Sequence, residues 1–157
     1  MKIKWKSLVI SLIIPLIVGG ISGFLSSGSM EKFNNLNKPA LSPPSLIFPI
    51  VWTALYLLMG ISAYLIFTSS APQKQKTIAL KIYALQLAVN FLWSIIFFNF
   101  SAYLFAFIWL ILLWVLILIM IKLFYQISKP AALLQLPYFL WVTFAGWLNL
   151  MVYLLNR

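Results

Sequence analysis

The sequence predicts an all-α integral membrane protein, a bundle of five transmembrane helices. Of its 157 residues, 64% are hydrophobic and only 8% are charged, and the mean hydropathy is +1.07. Soluble domains carry roughly 25% charged residues, and disordered chains are poor in hydrophobic ones, so both classes are excluded. At about 20 residues per span, the chain forms a single membrane domain, residues 1–157, with short loops.

Five charge-poor stretches mark the predicted spans. The stretch from Ile82 to Ile121 contains 40 uncharged residues. As a single helix it would measure about 60 Å, twice the hydrocarbon thickness, so it must fold back at Asn99-Phe100-Ser101. The first stretch is too long for a signal-peptide core, so we expect a retained helix rather than cleavage near Ser26. The predicted helices cover residues 7–27, 45–67, 77–98, 102–125 and 131–155, and residues 28–44 form a polar loop.

The basic residues predict the orientation of the bundle. Eight of the eleven belong to the end that holds the N-terminus, and three belong to the end that holds the first loop and the C-terminus. Because basic residues favour the cytoplasmic side, we expect a cytoplasmic N-terminus, with the first loop and the C-terminus outside. The net charge of +10 is scattered over helix ends, which indicates contact with anionic membrane lipid and no nucleic-acid partner.

The ionisable residues exclude most catalytic chemistry. The chain has no Cys and no His, and Glu31 is its one acidic residue. Disulfides, thiolate or imidazole catalysis, paired carboxylates and a metal site are therefore excluded, so we expect no conventional enzyme and no cofactor. Ion-coupled transport is disfavoured because Glu31 lies in a loop. The remaining aromatic, amide and hydroxyl groups are typical of a site for a large, flat, mostly apolar ligand.

Three of the predicted helices carry a face that is both aromatic and polar. Residues at helical spacing share a face, and amides in lipid should point into the protein, so we expect these faces to converge on a pocket. The alternative is that the amides only join helices, while the tryptophans and tyrosines form interfacial belts. The faces comprise Trp52, Tyr56, Met59 and Ala63 on helix two, Gln86, Asn90, Trp93 and Phe97 on helix three, and Tyr138, Trp141, Ala145 and Asn149 on helix five.

Three prolines, Pro15, Pro49 and Pro137, fall inside predicted helices. A proline in a helix frees a carbonyl and bends the helix, which either opens space for a ligand or accommodates packing. Packing is the interpretation we prefer for Pro15. Pro49 and Pro137 each precede a tryptophan by three or four residues, and this spacing is compatible with a role at the pocket.

Three blocks of residues occur in a familiar order. They are Leu36-x-Lys38-Pro39, Pro43-Pro44 and Val51-Trp52-x-x-Leu55-Tyr56-x-x-Met59-Gly60 around helix two, Gln86-Leu87-x-x-Asn90-x-x-Trp93-Ser94 with Phe97-Phe98 in helix three, and Pro137-Tyr138-x-x-Trp141-x-x-Phe144-Ala145-x-x-Leu148-Asn149 in helix five. The ordered set runs from about Phe33 to the C-terminus and resembles the translocator protein family, also called the tryptophan-rich sensory protein or peripheral benzodiazepine receptor family.

This resemblance implies a function and a set of site residues. It implies a homodimeric five-helix protein, of the type found in the bacterial cell membrane, that binds porphyrins such as protoporphyrin IX or haem-like tetrapyrroles. Isoquinoline or benzodiazepine-type drugs and sterols are further ligands by resemblance, and regulation of tetrapyrrole or stress metabolism is the implied role. Two alternatives stay open: light-dependent porphyrin degradation through Trp52 and Trp141, and uncoupled tetrapyrrole transport. The expected ligand-binding residues are Pro43, Pro44, Phe48, Trp52, Tyr56, Gln86, Asn90, Trp93, Ser94, Phe97, Tyr138, Trp141, Ala145 and Asn149.

Three positions of the first loop depart from the family's pattern. Where the family usually has a Trp-Tyr pair and a further Trp, this chain has Lys32-Phe33 and Leu41, so we expect a thinner aromatic lining from the loop. We place the pocket between helices two, three and five beneath that loop, with Trp141 as its floor, Trp52 as its wall and Asn90 as a hydrogen-bond donor to the ligand.

Small residues predict where helices approach one another closely. Ala84-x-x-x-Ala88 on helix three and Gly19-x-x-x-Gly23 on helix one both permit close contact of backbones. The resemblance favours the alanine pair as the homodimer interface, and the glycine pair is expected to pack within the monomer.

Overall fold

The computed structural model describes residues 2–157, and within that range every regular element is helical. Five segments are long and apolar enough to cross a membrane, which confirms the predicted fold class. The elements are α1 (Trp5–Ser27), α2 (Met30–Asn34), α3 (Ile47–Thr68), α4 (Gln73–Ser94) with a π-helical turn at its end (Ile95–Asn99), α5 (Tyr103–Ile127), α6 (Lys129–Leu133) and α7 (Leu136–Asn156).

The five spans run alternately up and down, so the bundle has two distinct ends. At one end, here called the loop end, lie α2, residues 35–46 and the C-terminus. Asn156 joins these parts: its Oδ1 accepts from the backbone N–H of Asn37 at 3.0 Å, and its Nδ2 donates to the Asn37 carbonyl at 2.8 Å. The opposite end holds the N-terminus and α6, where the Lys4 backbone N–H donates to the Tyr64 hydroxyl at 3.0 Å.

Two prolines that the sequence analysis places in the interior of helices lie instead in the first turn of a helix. Pro49 is the third residue of α3, and Pro137 is the second residue of α7. A proline in the first turn removes no helical hydrogen bond, because the first N–H groups of a helix have no intrahelical acceptor. The fifth span is instead interrupted just before Pro137, where Leu134 and Gln135 separate α6 from α7.

Pro15 lies in the interior of α1, where it marks the crossing with α3. The ring leaves the Ser11 carbonyl without its helical N–H donor. This carbonyl faces Gly60 of α3 so closely that a Cβ on Gly60 would lie 2.7 Å from it. Gly60 therefore allows the two backbones to touch at the proline, which agrees with the packing interpretation of Pro15.

One turn nearer the loop end, Gly19 of α1 lies against the ring of Tyr56. A Cβ on Gly19 would overlap the ring of Tyr56, so any larger residue would force the ring to move. Gly23, the second glycine of the predicted pair, has open space where its Cβ would be. The glycine pair thus packs within the monomer through Gly19 alone.

Beyond Gly19 the loop end of α1 attaches to α4 rather than to α3. The hydroxyls of Ser26 and Ser94 lie 3.0 Å apart, and Asn99 Nδ2 donates to the Leu25 carbonyl at 3.0 Å. In addition, the Ser29 hydroxyl donates to Asn99 Oδ1 at 3.3 Å. Helix α1 therefore contacts α3 from its N-terminal end to Gly19, and it contacts the end of α4 near the loop end.

Candidate functional site

A chain of buried hydrogen bonds crosses the centre of the bundle and joins α3, α4 and α7. The Tyr56 hydroxyl donates to Asn90 Oδ1 at 3.3 Å, and Asn90 Nδ2 donates to the Tyr138 hydroxyl at 2.8 Å. Tyr138 in turn donates to Gln86 Oε1 at 2.7 Å. All four side chains are buried, with exposed fractions from 0% to 6%. The polar faces of these three helices do converge, as their spacing predicts.

A second buried bond lies nearer the loop end. The Trp93 indole N–H donates to Asn149 Oδ1 at 3.1 Å, and Asn149 Nδ2 donates to the Tyr103 carbonyl at 2.8 Å. Both side chains are buried, with exposed fractions of 8% and 1%. This pair fixes α7 against the end of α4 and the beginning of α5.

The expectation that Asn90 donates a hydrogen bond to a ligand stays a prediction. Its Oδ1 and Nδ2 are both engaged by tyrosines of neighbouring helices. The amide nitrogen carries two N–H groups and only one donates to Tyr138, so Asn90 keeps a donor for a ligand in the large cavity that it lines. Asn90 acts here as a joint between helices, the alternative role considered above for amides.

The space between α3, α4 and α7 beneath the first loop is almost filled. Its free volume is about 20 Å³, far below the 300–1,000 Å³ typical of ligand pockets. Phe33 of α2 occupies it: this ring is 3% exposed and packs 5.5–6.0 Å from the rings of Phe48, Phe97 and Phe98. The predicted pocket therefore has no room for a porphyrin in this conformation.

Trp141 brings a free polar group to this filled space, here called the Phe33 compartment. Its indole Nε1 is buried and has no hydrogen-bond partner among residues 2–157. The tryptophan ring packs against Phe48 and Phe144, at centroid distances of 6.0 and 5.5 Å. The compartment is lined by Phe33, Phe48, Trp52, Trp93, Phe97, Phe98, Trp141, Ala145, Leu148 and Asn149.

A much larger cavity lies on the other side of Trp52 and Trp93, between α1, α3 and α4. Its volume is about 620 Å³, within the range of small-molecule sites. Trp52, Trp93 and Phe98 line both spaces and form the wall between them. The lining contains no charged side chain and comprises Leu16, Gly19, Gly20, Ser22, Gly23, Phe24, Ser26, Ser27, Met30, Pro49, Trp52, Thr53, Tyr56, Asn90, Trp93, Ser94 and Phe98.

The predicted site residues fall into four groups, according to whether they line both spaces, one of them or neither. Trp52 and Trp93 line both spaces. Pro43, Pro44, Gln86 and Tyr138 line neither, because the prolines lie in the loop and the other two form the central hydrogen-bond chain. Phe48, Phe97, Trp141, Ala145 and Asn149 line only the Phe33 compartment, and Tyr56, Asn90 and Ser94 line only the large cavity.

Several lining residues escape the sequence analysis. Helix α1 supplies eight of the 17 residues that line the large cavity, yet its only signal in the sequence is the glycines and serines between Gly19 and Ser27. Phe33 supplies an aromatic ring from the loop, so the lining is less depleted than the missing family tryptophans suggest. Leu41 contributes nothing, because it is 73% exposed.

Comparison with known proteins agrees with this architecture. Residues 11–154 match the TspO/MBR family, which is nearly the entire chain. The chain belongs to the TspO/MBR family. The match spans all five membrane helices, including α1, which the three motif blocks do not cover.

Relatives from bacteria and animals resemble the chain over most of its length. It is 33% identical to the tryptophan-rich protein TspO of Chlorobaculum tepidum over 86% of this chain and 85% of that protein. It is 35% identical to the protein CrtK of Rhodobacter capsulatus, covering 88% and 85% of the two chains. The translocator protein of Bos taurus is 31% identical, covering 92% of this chain and 87% of that protein.

Proposed function

We propose that this membrane protein binds porphyrins and related tetrapyrroles in the large cavity between α1, α3 and α4. The observation that carries the proposal is the cavity itself: about 620 Å³, without charged lining, and walled by Trp52 and Trp93. An uncharged aromatic wall favours a flat, mostly apolar ring, since stacked aromatic pairs contribute about 0.5–1.5 kcal/mol beyond the burial of their area. Tetrapyrroles are the ligands that the family resemblance implies.

The Phe33 compartment extends this site. The buried N–H of Trp141 has no partner within residues 2–157, whereas the N–H of Trp93 donates to Asn149. A ligand that reaches past Trp52 and displaces Phe33 gains this donor for a carbonyl, carboxylate or pyrrole nitrogen. Drug-like isoquinolines and benzodiazepines, which carry such acceptors on apolar rings, fit the same description.

Titration of the purified protein with protoporphyrin IX tests the proposal, with tryptophan fluorescence as the readout. Saturable quenching is expected, together with weaker binding by Trp52→Leu. Trp5→Leu is the matched control, because Trp5 is 67% exposed at the far end of α1 and lines neither space. Equal affinity of the parent and Trp52→Leu would place the ligand elsewhere.

Light-driven degradation is a second function that one contact favours. Trp52 stacks on Tyr56 at 5.6 Å and meets Tyr138 edge-on at 6.1 Å, so an electron-rich group of rings borders the cavity. Porphyrin absorbance recorded in the dark and under illumination separates the two functions. Absorbance that is stable in both conditions indicates binding alone, and loss only in light, only with intact protein, indicates degradation.

A further inference from the structure

The side of the large cavity between α1 and α3 is open, and this opening has a definite cause. Helix α1 touches α3 at Gly60 and Gly19, but nearer the loop end it attaches to α4 through Ser26 and Asn99. The two helices α1 and α3 therefore diverge towards the loop end. The cavity occupies the wedge between them.

The exposed residues of the lining locate the mouth of this wedge. The lining residues that are exposed are Pro49 and Thr53 on α3 and Gly20, Gly23, Phe24 and Ser27 on α1. The lining residues of α4 are buried or half-buried. The mouth therefore lies between α1 and α3, and the glycines keep it clear, since a Cβ on either would meet no atom within 4 Å.

The depth of the mouth within the bilayer decides whether lipid tails or water surround it. Helix α1 runs from Trp5 to Ser27, so its midpoint lies near residue 16. At a rise of 1.5 Å per residue, Gly20 and Gly23 lie about 6 and 10 Å from that midpoint. Half of the hydrocarbon core is about 15 Å thick, so both glycines face lipid tails rather than water.

The Phe33 compartment, by contrast, is closed at the loop end. Phe33 fills the compartment beneath the loop, and Lys38 holds it there by donating to the carbonyls of Phe33 and Asn34 at 3.1 and 3.0 Å. The paired hydrogen bonds between Asn37 and Asn156 fasten the loop to the end of α7. A molecule that approaches the Phe33 compartment from water meets this cover, whereas one dissolved in the bilayer meets the mouth of the large cavity.

We propose that ligands reach the cavity sideways from the bilayer, through the mouth between α1 and α3, and not through the first loop. The proposal rests on the proposed tetrapyrrole site and adds the chemical state in which the ligand is taken up, dissolved among lipid tails. Apolar tetrapyrroles partition into membranes, so this route presents them to the site at their highest local concentration. Uptake by this route requires no displacement of Phe33, Lys38 or Asn156.

Stopped-flow mixing of protoporphyrin-loaded vesicles with protein in liposomes tests the route, with tryptophan quenching as the readout. A leucine at position 23 extends into open space at the mouth, so Gly23→Leu should slow association several-fold and should slow dissociation as well. Gly28→Leu is the matched control: Gly28 also has open space around its Cβ position, but it does not line the cavity. Asn156→Ala, which releases the loop, should leave both rates unchanged.

Two kinetic results would overturn the route. Faster association by Asn156→Ala, with no effect of Gly23→Leu, would show that ligands pass the loop. Weaker affinity of Gly23→Leu at an unchanged association rate would show that this position lines the bound ligand and does not gate its arrival.

A separate measurement tests, without any porphyrin, whether the mouth opens to lipid. Lipids brominated in the middle of their acyl chains quench the indoles they touch, and Trp52 lies on the cavity wall behind the mouth. The difference between the parent and Trp52→Phe gives the quenching of Trp52, which Gly23→Leu should reduce. If Trp52 is not quenched in the parent, the mouth does not open to lipid. If Trp52 is quenched but the parent binds no porphyrin, the proposed function fails and the opening stands.

Discussion

The Trp93 indole N–H donates to Asn149 Oδ1 at 3.1 Å, and this bond ties α4 to α7 at the loop end of the bundle. Trp93 also belongs to the wall between the large cavity and the Phe33 compartment. Asn149, which does not line the large cavity, therefore sets the orientation of the Trp93 ring in that wall. Two tryptophans with similar sequence surroundings, Trp93 and Trp141, thus differ in whether their N–H group is free.

This difference predicts that two similar substitutions change the stability of the protein by different amounts. Trp93→Phe leaves Asn149 Oδ1 buried without its donor, so the free energy of unfolding should fall by about 1–3 kcal/mol. Trp141→Phe removes an N–H that has no partner within residues 2–157, so stability should stay within about 0.5 kcal/mol of the parent or rise. Thermal unfolding in one detergent compares the two variants. An equal loss in both would contradict the assigned bonds.

The free N–H of Trp141 also predicts an effect on ligand affinity. Trp141→Phe removes the free donor of the Phe33 compartment, so ligands that carry an acceptor should bind several-fold more weakly. An analogue without the acceptor should bind the parent and Trp141→Phe equally. Ligand titration followed by fluorescence of the remaining tryptophans measures both. Loss of affinity for both ligands alike would indicate a change of packing and not of hydrogen bonding.

The central hydrogen-bond chain predicts a large loss of stability for one hydroxyl. Tyr138→Phe deprives both Asn90 and Gln86 of a partner in a fully buried site, and each unpaired group costs about 1–3 kcal/mol. Tyr125→Phe is the control, because Tyr125 is 52% exposed. Unfolding by heat should separate the two variants clearly. A Tyr138→Phe protein as stable as the control would mean that the chain of bonds is not formed.

The crossing of α1 and α3 predicts strong intolerance at one glycine. In Gly60→Ala the new Cβ would lie 2.7 Å from the Ser11 carbonyl, which is backbone and cannot turn aside. The helices must separate, and overpacking of this kind costs typically about 1–3 kcal/mol. Gly28→Ala, which meets no atom within 4 Å, should be tolerated. The yield and the melting temperature of the purified variants report the outcome.

The exposed face of α4 gives a prediction about assembly. Ala84 and Ala88 are exposed along the span, as an interface between two copies requires. Replacing both with leucine should shift the detergent-solubilised protein from dimer towards monomer, measured by light scattering. An unchanged dimer fraction would place the interface on another face.

The spans and the central contacts follow from the sequence because two simple rules fix them. Lipid requires about 20 apolar residues per span, and an amide inside a span must find a partner. Gln86, Asn90 and Asn149 meet this requirement in the bundle interior, on the faces that their spacing predicts. The roles of Pro49 and Pro137 could not be predicted in this way, since their effect depends on where the helix begins.

The location of the free volume could not be predicted from the sequence either. A cavity is what remains after all side chains have packed, and Phe33 fills the space that the motif residues surround. The large cavity exists because α1 leaves α3 beyond Gly19, a matter of helix direction that no motif records. The small residues of α1 become informative only when this divergence is known.

An experimental structure of the protein with protoporphyrin IX, determined in a lipid bilayer, shows directly where the ligand binds. We expect the ring in the cavity between α1, α3 and α4, against Trp52, with the bond between Trp93 and Asn149 intact. A porphyrin found on the outer surface of the bundle, or one held by the first loop with this cavity empty, would contradict this expectation.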